Sequence, residues 1–204
     1  MQPIWKSPVR KFGHLMAAGG LAFCATADAG PAPEINFKIE RYKVSGITTT
    51  EIDRSIYNNT PVVMGGQRYG AVTHNTFRTS YSAVTTGEGG CEVKNVSVVL
   101  DSTVVLPELV PGQHSQAVLN EWRRHLQALT AHEMQHAHNG KYTAETIARR
   151  LFGFHAQMPC SEMKPRLDRA IDQLVNNMGA WDKRLDQTTQ HGKTQGAYLQ
   201  TGIR

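Results

Sequence analysis

The sequence predicts an α+β fold, in which a small N-terminal mixed or antiparallel sheet is followed by a helical half. Two observations support this division. Residues 30–110 contain short runs of β-branched and aromatic residues that glycine and proline separate. Residues 115–186 carry apolar residues at spacings of three and four, the period of an α-helix. Residues 30–204 have the length of one domain.

The first 29 residues have the pattern of a secretory signal peptide. Three basic residues between Lys6 and Lys11 precede an apolar run over 15–27, and the run ends in the small-residue triplet Ala27-Asp28-Ala29. A buried N-terminal helix is the alternative, but it does not require that order. We therefore expect cleavage after Ala29, a secreted or periplasmic protein and no stable membrane anchor. Cleavage removes three bases and one acid, which lowers the formal net charge from +5 to +3 and gives no reason to expect nucleic-acid binding.

The first half of the remaining chain is predicted to form strands around one short helix. Residues 35–39 alternate between apolar and polar, as in a half-buried strand that continues towards Gly46. A helix is expected over 48–59, with Thr50 as its N-cap. The features that follow are a turn at Gly65-Gly66, one or two strands over 68–84, the clearest strand over 91–100, and a break at Pro107 and Pro111.

The second half is predicted to form long helices. Ser115 is expected to cap a helix that runs beyond residue 136, and Gly140 either ends or bends it. Ser161 is expected to cap a last helix with an apolar stripe over 163–185. That stripe could pair with a coiled-coil partner, but packing on the preceding helix of the same domain explains it better. We expect the latter, and a monomer.

Two cysteines remain after signal cleavage, Cys91 and Cys160. An even number of cysteines in an exported protein favours a disulfide over two buried free thiols. Such a bond would join a strand of the first half to the last helix of the second half.

Residues 132–136 read His-Glu-Met-Gln-His, and this motif carries the expected chemistry. On a helix, His132 and His136 lie on one face and can bind one Zn²⁺ together. Glu133 then lies beside the ion, where it can act as general base towards an activated water. The alternative is two surface histidines on a solvated helix, which would not require a glutamate between them.

A catalytic zinc needs a third protein ligand, and the sequence leaves several candidates. His191 in the segment after the last helix is the most suitable donor, and Asp186 is the second choice. Glu145 could reach the ion only if the chain turned back at Gly140. His125 shares the helix face of His132 but lies too far along the axis to bind the same ion, so at most it lines the cleft.

These motifs together resemble a bacterial family of secreted proteins catalogued as domain of unknown function 922, which is often labelled zinc-dependent peptidase. The resemblance rests on Tyr42-Lys-Val-Ser-Gly46, the His132-Glu133-x-x-His136 motif and the segment Asp186-x-x-Thr189-x-His191-Gly192. It implies the zincin class, in which one helix carries both histidines and a later residue completes the site. By position it favours His191 as third ligand, with Asp186 as an orienting partner or substitute.

The sequence therefore predicts a zinc-dependent metallopeptidase that hydrolyses peptide bonds with Glu133 as general base. Its partners would be peptides or proteins, peptidoglycan peptides included, and not nucleic acid. The alternative is a non-enzymatic envelope protein that binds zinc for structural reasons or acts as an interaction module. A structural site would be closed by four protein ligands, whereas a catalytic site keeps one position open.

Overall fold

The computed structural model describes residues 30–204, so the predicted signal peptide lies outside the described residues. The predicted α+β fold is confirmed: a mixed sheet forms the N-terminal half and helices follow it. In the described part of the chain, no helix combines the length and the apolar character that crossing a membrane requires.

The strands are β1 (Glu34–Val44), β2 (Val63–Met64), β3 (Gln67–Arg68), β4 (Val72–Thr85), β5 (Cys91–Leu109) and β6 (His155–Ala156). The helices are α1 (Thr49–Asn59), α2 (Gln116–Leu151) and α3 (Cys160–Thr189), followed by a 3₁₀ turn over Lys193–Gln195.

The sheet is built on β5, its longest strand. β1 pairs with β5 in parallel and β4 pairs with it antiparallel, which gives the order β1-β5-β4, while β6 pairs with the first residues of β5. The expected break at Pro107 is wrong, because β5 continues through it to Leu109. Pairing with β4 ends at Val105, so only β1 flanks Pro107, and proline is tolerated where a strand has one open side.

Helix α2 is continuous over 36 residues and packs against β5, β4 and α3. Ser115 caps it as predicted, since its side chain accepts a hydrogen bond from the Val118 amide. The helix continues through Gly140 without interruption, so the expected end or bend at this residue is not found. A Cβ at Gly140 would lie 2.5 Å from Asn75 Cγ, so glycine leaves room for this side chain of β4 to lie against the helix.

The predicted disulfide is confirmed, and it joins the first residues of β5 and α3. Cys91 and Cys160 are bonded with their Cα atoms 5.1 Å apart. Cys91 belongs to a buried cluster between the sheet and the helices that also contains Leu100, Ile147 and Met163. The bond therefore fixes the start of α3 directly to the main core.

Two helix caps differ from the prediction. The N-cap of α1 is Thr48 rather than Thr50, because Thr48 and Glu51 form a reciprocal capping box at that position. α3 begins at Cys160 after Pro159, whose ring holds φ at −58°, so Ser161 lies inside the first turn instead of capping it.

The C-terminal residues are part of the packed domain. Leu199 is buried, and it packs with Ile203 in a cluster that contains Val44, Ile52 and Trp122. The amide of Ile203 also donates to Thr49 Oγ1 over 3.0 Å. This anchoring brings the chain after α3 back across α2.

Candidate metal centre

Helix α2 carries His132, Glu133 and His136 on its buried side. These residues are 2%, 5% and 6% exposed. The two imidazole centroids are 5.0 Å apart and their planes meet at 87°. Because the two histidines are four positions apart, which is about one helical turn, both rings are directed to the same side of the helix, as the spacing predicts.

Asp186 lies in the last turn of α3 and faces both histidines. Its Oδ1 atom is 3.1 Å from His132 Nε2 and 3.0 Å from His136 Nε2. One ligand atom from each of the three residues lies within 4.8 Å of the others, so the group is a candidate metal site with two nitrogen donors and one oxygen donor.

The second ring nitrogen of each histidine, Nδ1, also has a hydrogen-bonding partner. His132 Nδ1 lies 2.9 Å from Gln195 Oε1, and His136 Nδ1 lies 2.9 Å from Asp182 Oδ1. Asp182 in turn accepts a hydrogen bond from the Asn139 side chain. Since both partners of Nδ1 are oxygen acceptors, Nδ1 can donate its proton to them, and Nε2 would then be free to bind a metal in place of a proton, the arrangement usual for metal-binding histidines.

The charges around these rings favour a cation. Burial alone would lower the pKa of His136, but the hydrogen bonds to Asp182 and Asp186 outweigh it and raise the pKa to about 10. Burial alone would raise the pKa of Asp186, but the hydrogen bonds from His132 and His136 lower it well below its usual range. Two carboxylates thus stabilise positive charge between the imidazoles, which a divalent metal can supply in place of protons.

Glu133 is positioned by the neighbouring strand. The hydroxyl of Thr73 in β4 lies 2.8 Å from Glu133 Oε2 and 3.0 Å from the Glu133 backbone carbonyl, so it can donate to the carboxylate. Burial is the largest influence on the Glu133 carboxyl and raises its pKa. A buried carboxylate of raised basicity next to a metal site suits proton transfer.

A strained turn after α3 closes the site. Gln190, His191 and Gly192 have φ of 51°, 54° and 78°, a left-handed conformation that is uncommon for the two residues with side chains. A Cβ on Gly192 would lie 2.8 Å from His132 Cγ, so the backbone passes directly over that ring. The turn thereby delivers Gln195 to His132 Nδ1.

The structure groups the two histidines with Asp186, whereas the sequence favoured His191 as their partner. The His191 side chain is about half exposed, its ring centroid lies 4.5 Å from that of Tyr69, and its Nδ1 is 3.7 Å from Asp186 Oδ2. It therefore stands beside the group rather than within it. Glu145 is distant from the group and pairs with Lys141 one turn earlier on α2.

Three residues that hold this site were not identified from the sequence. Asp182 lies four residues before Asp186 on α3, and that spacing could have placed both carboxylates on one helix face. Thr73 and Gln195 gave no signal, because a strand threonine and a loop glutamine acquire their roles only when β4 and the C-terminal segment pack on α2.

The site opens into a cavity of about 440 Å³. Its walls come from α1, α2, the end of α3, the start of β4, the β2–β3 hairpin and the segment after α3. Besides the metal-site residues, the lining includes Ile56, Arg68, Tyr69, Val72, Thr73, His125, Leu129, His191, Lys193, Tyr198 and Leu199.

Comparison with known protein families identifies a match to most of the chain. A family model described as "Bacterial protein of unknown function (DUF922)" matches residues 39–192, which include every residue of the candidate site except Gln195. No curated protein and no solved structure matches the chain significantly.

Proposed function

The chain belongs to this bacterial family of unknown function, and we propose that it is a zinc-dependent peptidase. One observation carries the proposal: two histidine nitrogens from α2 and a carboxylate oxygen from α3 converge, and a buried glutamate lies beside the first histidine. Zinc hydrolases commonly have three protein ligands of this kind and one open position.

The donor set favours zinc. Imidazole nitrogens and a carboxylate oxygen suit Zn²⁺, whereas Ca²⁺ and Mg²⁺ prefer oxygen donors alone. His132, His136 and Asp186 would hold the ion, while Gln195 and Asp182 keep both imidazoles in the required tautomer. When bound, Zn²⁺ would supply a Lewis acid that polarises a substrate carbonyl and lowers the pKa of a water.

Glu133 is the proposed general base. Its carboxylate takes a proton from the attacking water and passes it to the leaving amine. Thr73 holds the carboxylate in place, and burial keeps it more basic than an exposed glutamate. The closed wall formed by Gly192 and the segment after it limits access of bulk water to His132.

A peptide substrate is favoured by the strand next to the cavity. β4 pairs with β5 on one side only, and its first residues, Val72 and Thr73, line the cavity. An open strand edge can bind an extended peptide through backbone hydrogen bonds. Such a peptide would run past Glu133 and Asp186. The disulfide, together with the leader-like residues 1–29, supports action outside the cytoplasm.

The first test compares Glu133→Gln with the unaltered protein, after residues 30–204 are purified without chelator. We expect about one zinc per chain in both by elemental mass spectrometry. We also expect peptide hydrolysis by the variant to fall by at least about 100-fold, because only the proton acceptor is removed.

Glu145→Gln is the matched control, since Glu145 lies on the same helix and pairs with Lys141 away from the site. It should keep both zinc and activity. Undiminished hydrolysis by Glu133→Gln would exclude this mechanism, and a protein that takes up no zinc when it is offered would exclude the metal site.

A non-enzymatic zinc protein is the second candidate, and the position of His191 is what favours it. A change of its rotamer could direct His191 at the ion as a fourth ligand, which would close the site as in structural zinc centres. A small hydroxamate separates the two functions, because it binds zinc only where a coordination position is open. Failure of hydroxamates to bind the zinc-loaded protein would support the closed site.

A further inference from the structure

One more polar side chain is buried in the cavity wall, and the proposed reaction makes no use of it. His125 on α2 is 5% exposed and lines the cavity. Within residues 30–204, neither of its ring nitrogens has a hydrogen-bond partner. The nearby Tyr198 carbonyl does not meet hydrogen-bond geometry with the ring and already accepts from Arg124. Because an unpaired buried polar group destabilises a fold, a ligand group that pairs with it would explain its retention.

The protonation state of His125 limits what that group can be. Burial, together with the positive charge of Arg124, lowers the pKa of His125 to about 4, against smaller opposite effects of the Tyr198 carbonyl and Glu121. The neutral ring has one N–H donor and one nitrogen acceptor. A carboxylate can only accept hydrogen bonds and an ammonium can only donate them, whereas an uncharged carboxamide or hydroxyl does both, the carboxamide with two separate atoms.

The position of His125 indicates which part of a substrate could reach it. It precedes His132 by seven residues on α2, which is about 10 Å along the helix axis. An extended peptide advances about 3.3 Å per residue, so the group at His125 belongs about three residues from the bond at the metal site. Since the ring is buried, a side chain rather than the peptide backbone has to reach it.

The surroundings of His125 would make this contact selective. Ile56, Leu129 and Leu199 line the same cavity and are apolar, so a substrate side chain that enters there loses its hydration. A side chain that cannot pair with the imidazole leaves the ring unsatisfied, whereas one that can pair gains a hydrogen bond in apolar surroundings, which is the condition for strong discrimination.

We propose that His125 forms the polar base of a substrate subsite that selects an uncharged hydrogen-bonding side chain, with the carboxamide of Asn or Gln as the best match, about three residues from the cleaved bond. This subsite rests on the proposed peptidase function. His125 touches the substrate but not the reacting atoms, so it determines specificity and has no part in the chemical step.

The test uses the zinc-loaded protein and a peptide library in which Gln or Met occupies each position up to four residues on either side of the cleaved bond. Gln and Met have similar length, but only Gln offers a carboxamide. We expect one position at which kcat/KM for Gln exceeds that for Met by at least about tenfold. His125→Phe should bring that ratio close to one, and His125→Asn should restore part of it.

His138→Phe is the matched control, because His138 is on the same helix but exposed outside the cavity. It should leave the ratio unchanged. Thermal unfolding of His125→Phe checks that the variant folds, and it should be no less stable than the unaltered protein because the unpaired imidazole is gone.

Binding of the uncleaved library peptides, measured by calorimetry, separates the two proposals. Cleavage without a preference for Gln, or a preference that His125→Phe preserves, overturns the subsite alone. A Gln preference in binding that depends on His125, without any cleavage, supports the subsite and counts against peptidase activity. If the protein neither cleaves the peptides nor binds them selectively, both proposals are overturned.

Discussion

At the scale of single residues, the candidate centre depends on which side chain completes the two histidines. Asp186 Oδ1 faces both Nε2 atoms at about hydrogen-bond distance, whereas His191 approaches only the second oxygen of that aspartate. Both residues lie in one short segment and both contain good zinc donors. Their different distances from the histidines imply different effects on metal affinity.

We predict that Asp186→Asn weakens zinc binding by more than about 100-fold, because it removes a charged ligand while keeping the shape of the side chain. His191→Asn should change the affinity by less than about tenfold, because in this arrangement it stands outside the ligand group. Competition with a chromophoric chelator measures both. The opposite order would identify His191 as the ligand that the sequence favoured.

The sequence could locate this segment but not choose between these two residues. The His132–His136 spacing fixes a helix face by local geometry alone, so those two donors were predictable. Whether residue 186 or 191 reaches them depends on where α3 ends. That end is set by three successive left-handed residues, which no local pattern requires for Gln190 and His191.

At the scale of elements, the close contact between the turn after α3 and α2 controls the geometry of the site. Gly192 has a φ of 78°, and a Cβ there would lie 2.8 Å from His132 Cγ and 2.9 Å from Ala197 Cβ. Any side chain would push the turn away from the histidine ring. Gln195 would then lose its contact with His132 Nδ1.

Gly192→Ala should therefore lower both stability and zinc affinity, the latter by about tenfold or more, as expected when a partner of a metal-binding histidine is displaced. Gly202→Ala is the control, because Gly202 has a φ of 89° but nothing within 4 Å of an added Cβ. It carries the backbone cost of about 1–3 kcal/mol without the clash. Thermal unfolding and chelator competition measure the two effects, and equal zinc affinities in the two variants would contradict this role.

The elements themselves were largely predictable, and the two breaks that were wrongly expected inside them both lie where a neighbouring strand matters. The helical period after Ser115 identifies α2 because that helix buries one face. The alternation before Gly46 also marks a strand, β1, but most of its side chains are exposed, Phe37 and Ile39 included, so the expected half-burial is wrong. The continuation of α2 through Gly140 and of β5 through Pro107 was not predictable. In both places the neighbouring strand determines the outcome, through close approach of Asn75 in one and the end of β4 pairing in the other.

At the scale of the whole molecule, α3 is held at its two ends by different means. Its first residue is bonded to β5 through Cys91–Cys160, and its last turn carries Asp186 to the histidines. The 26 residues between Cys160 and Asp186 span about 39 Å of helix. The disulfide therefore stabilises the fold far from the candidate metal site.

This separation predicts that stability and metal binding can be changed independently. The loop closed by the disulfide spans 69 residues, which corresponds to about 4 kcal/mol in the chain-entropy estimate. The double variant Cys91→Ala, Cys160→Ala should lower the free energy of unfolding by roughly that amount and the Tm by roughly 10 °C.

Zinc affinity, measured below the unfolding transition, should stay within a few-fold of the unaltered protein, because Asp186 is positioned by packing of α3 on α2 rather than by the covalent bond. Serine replacements at both positions are the control for the volume that alanine removes from the core around Cys91. A large loss of zinc affinity in a variant that remains folded would mean that the bond also sets the position of α3 along α2. The disulfide and the site would then act as one unit, and reduction in the cell would remove the metal together with part of the stability.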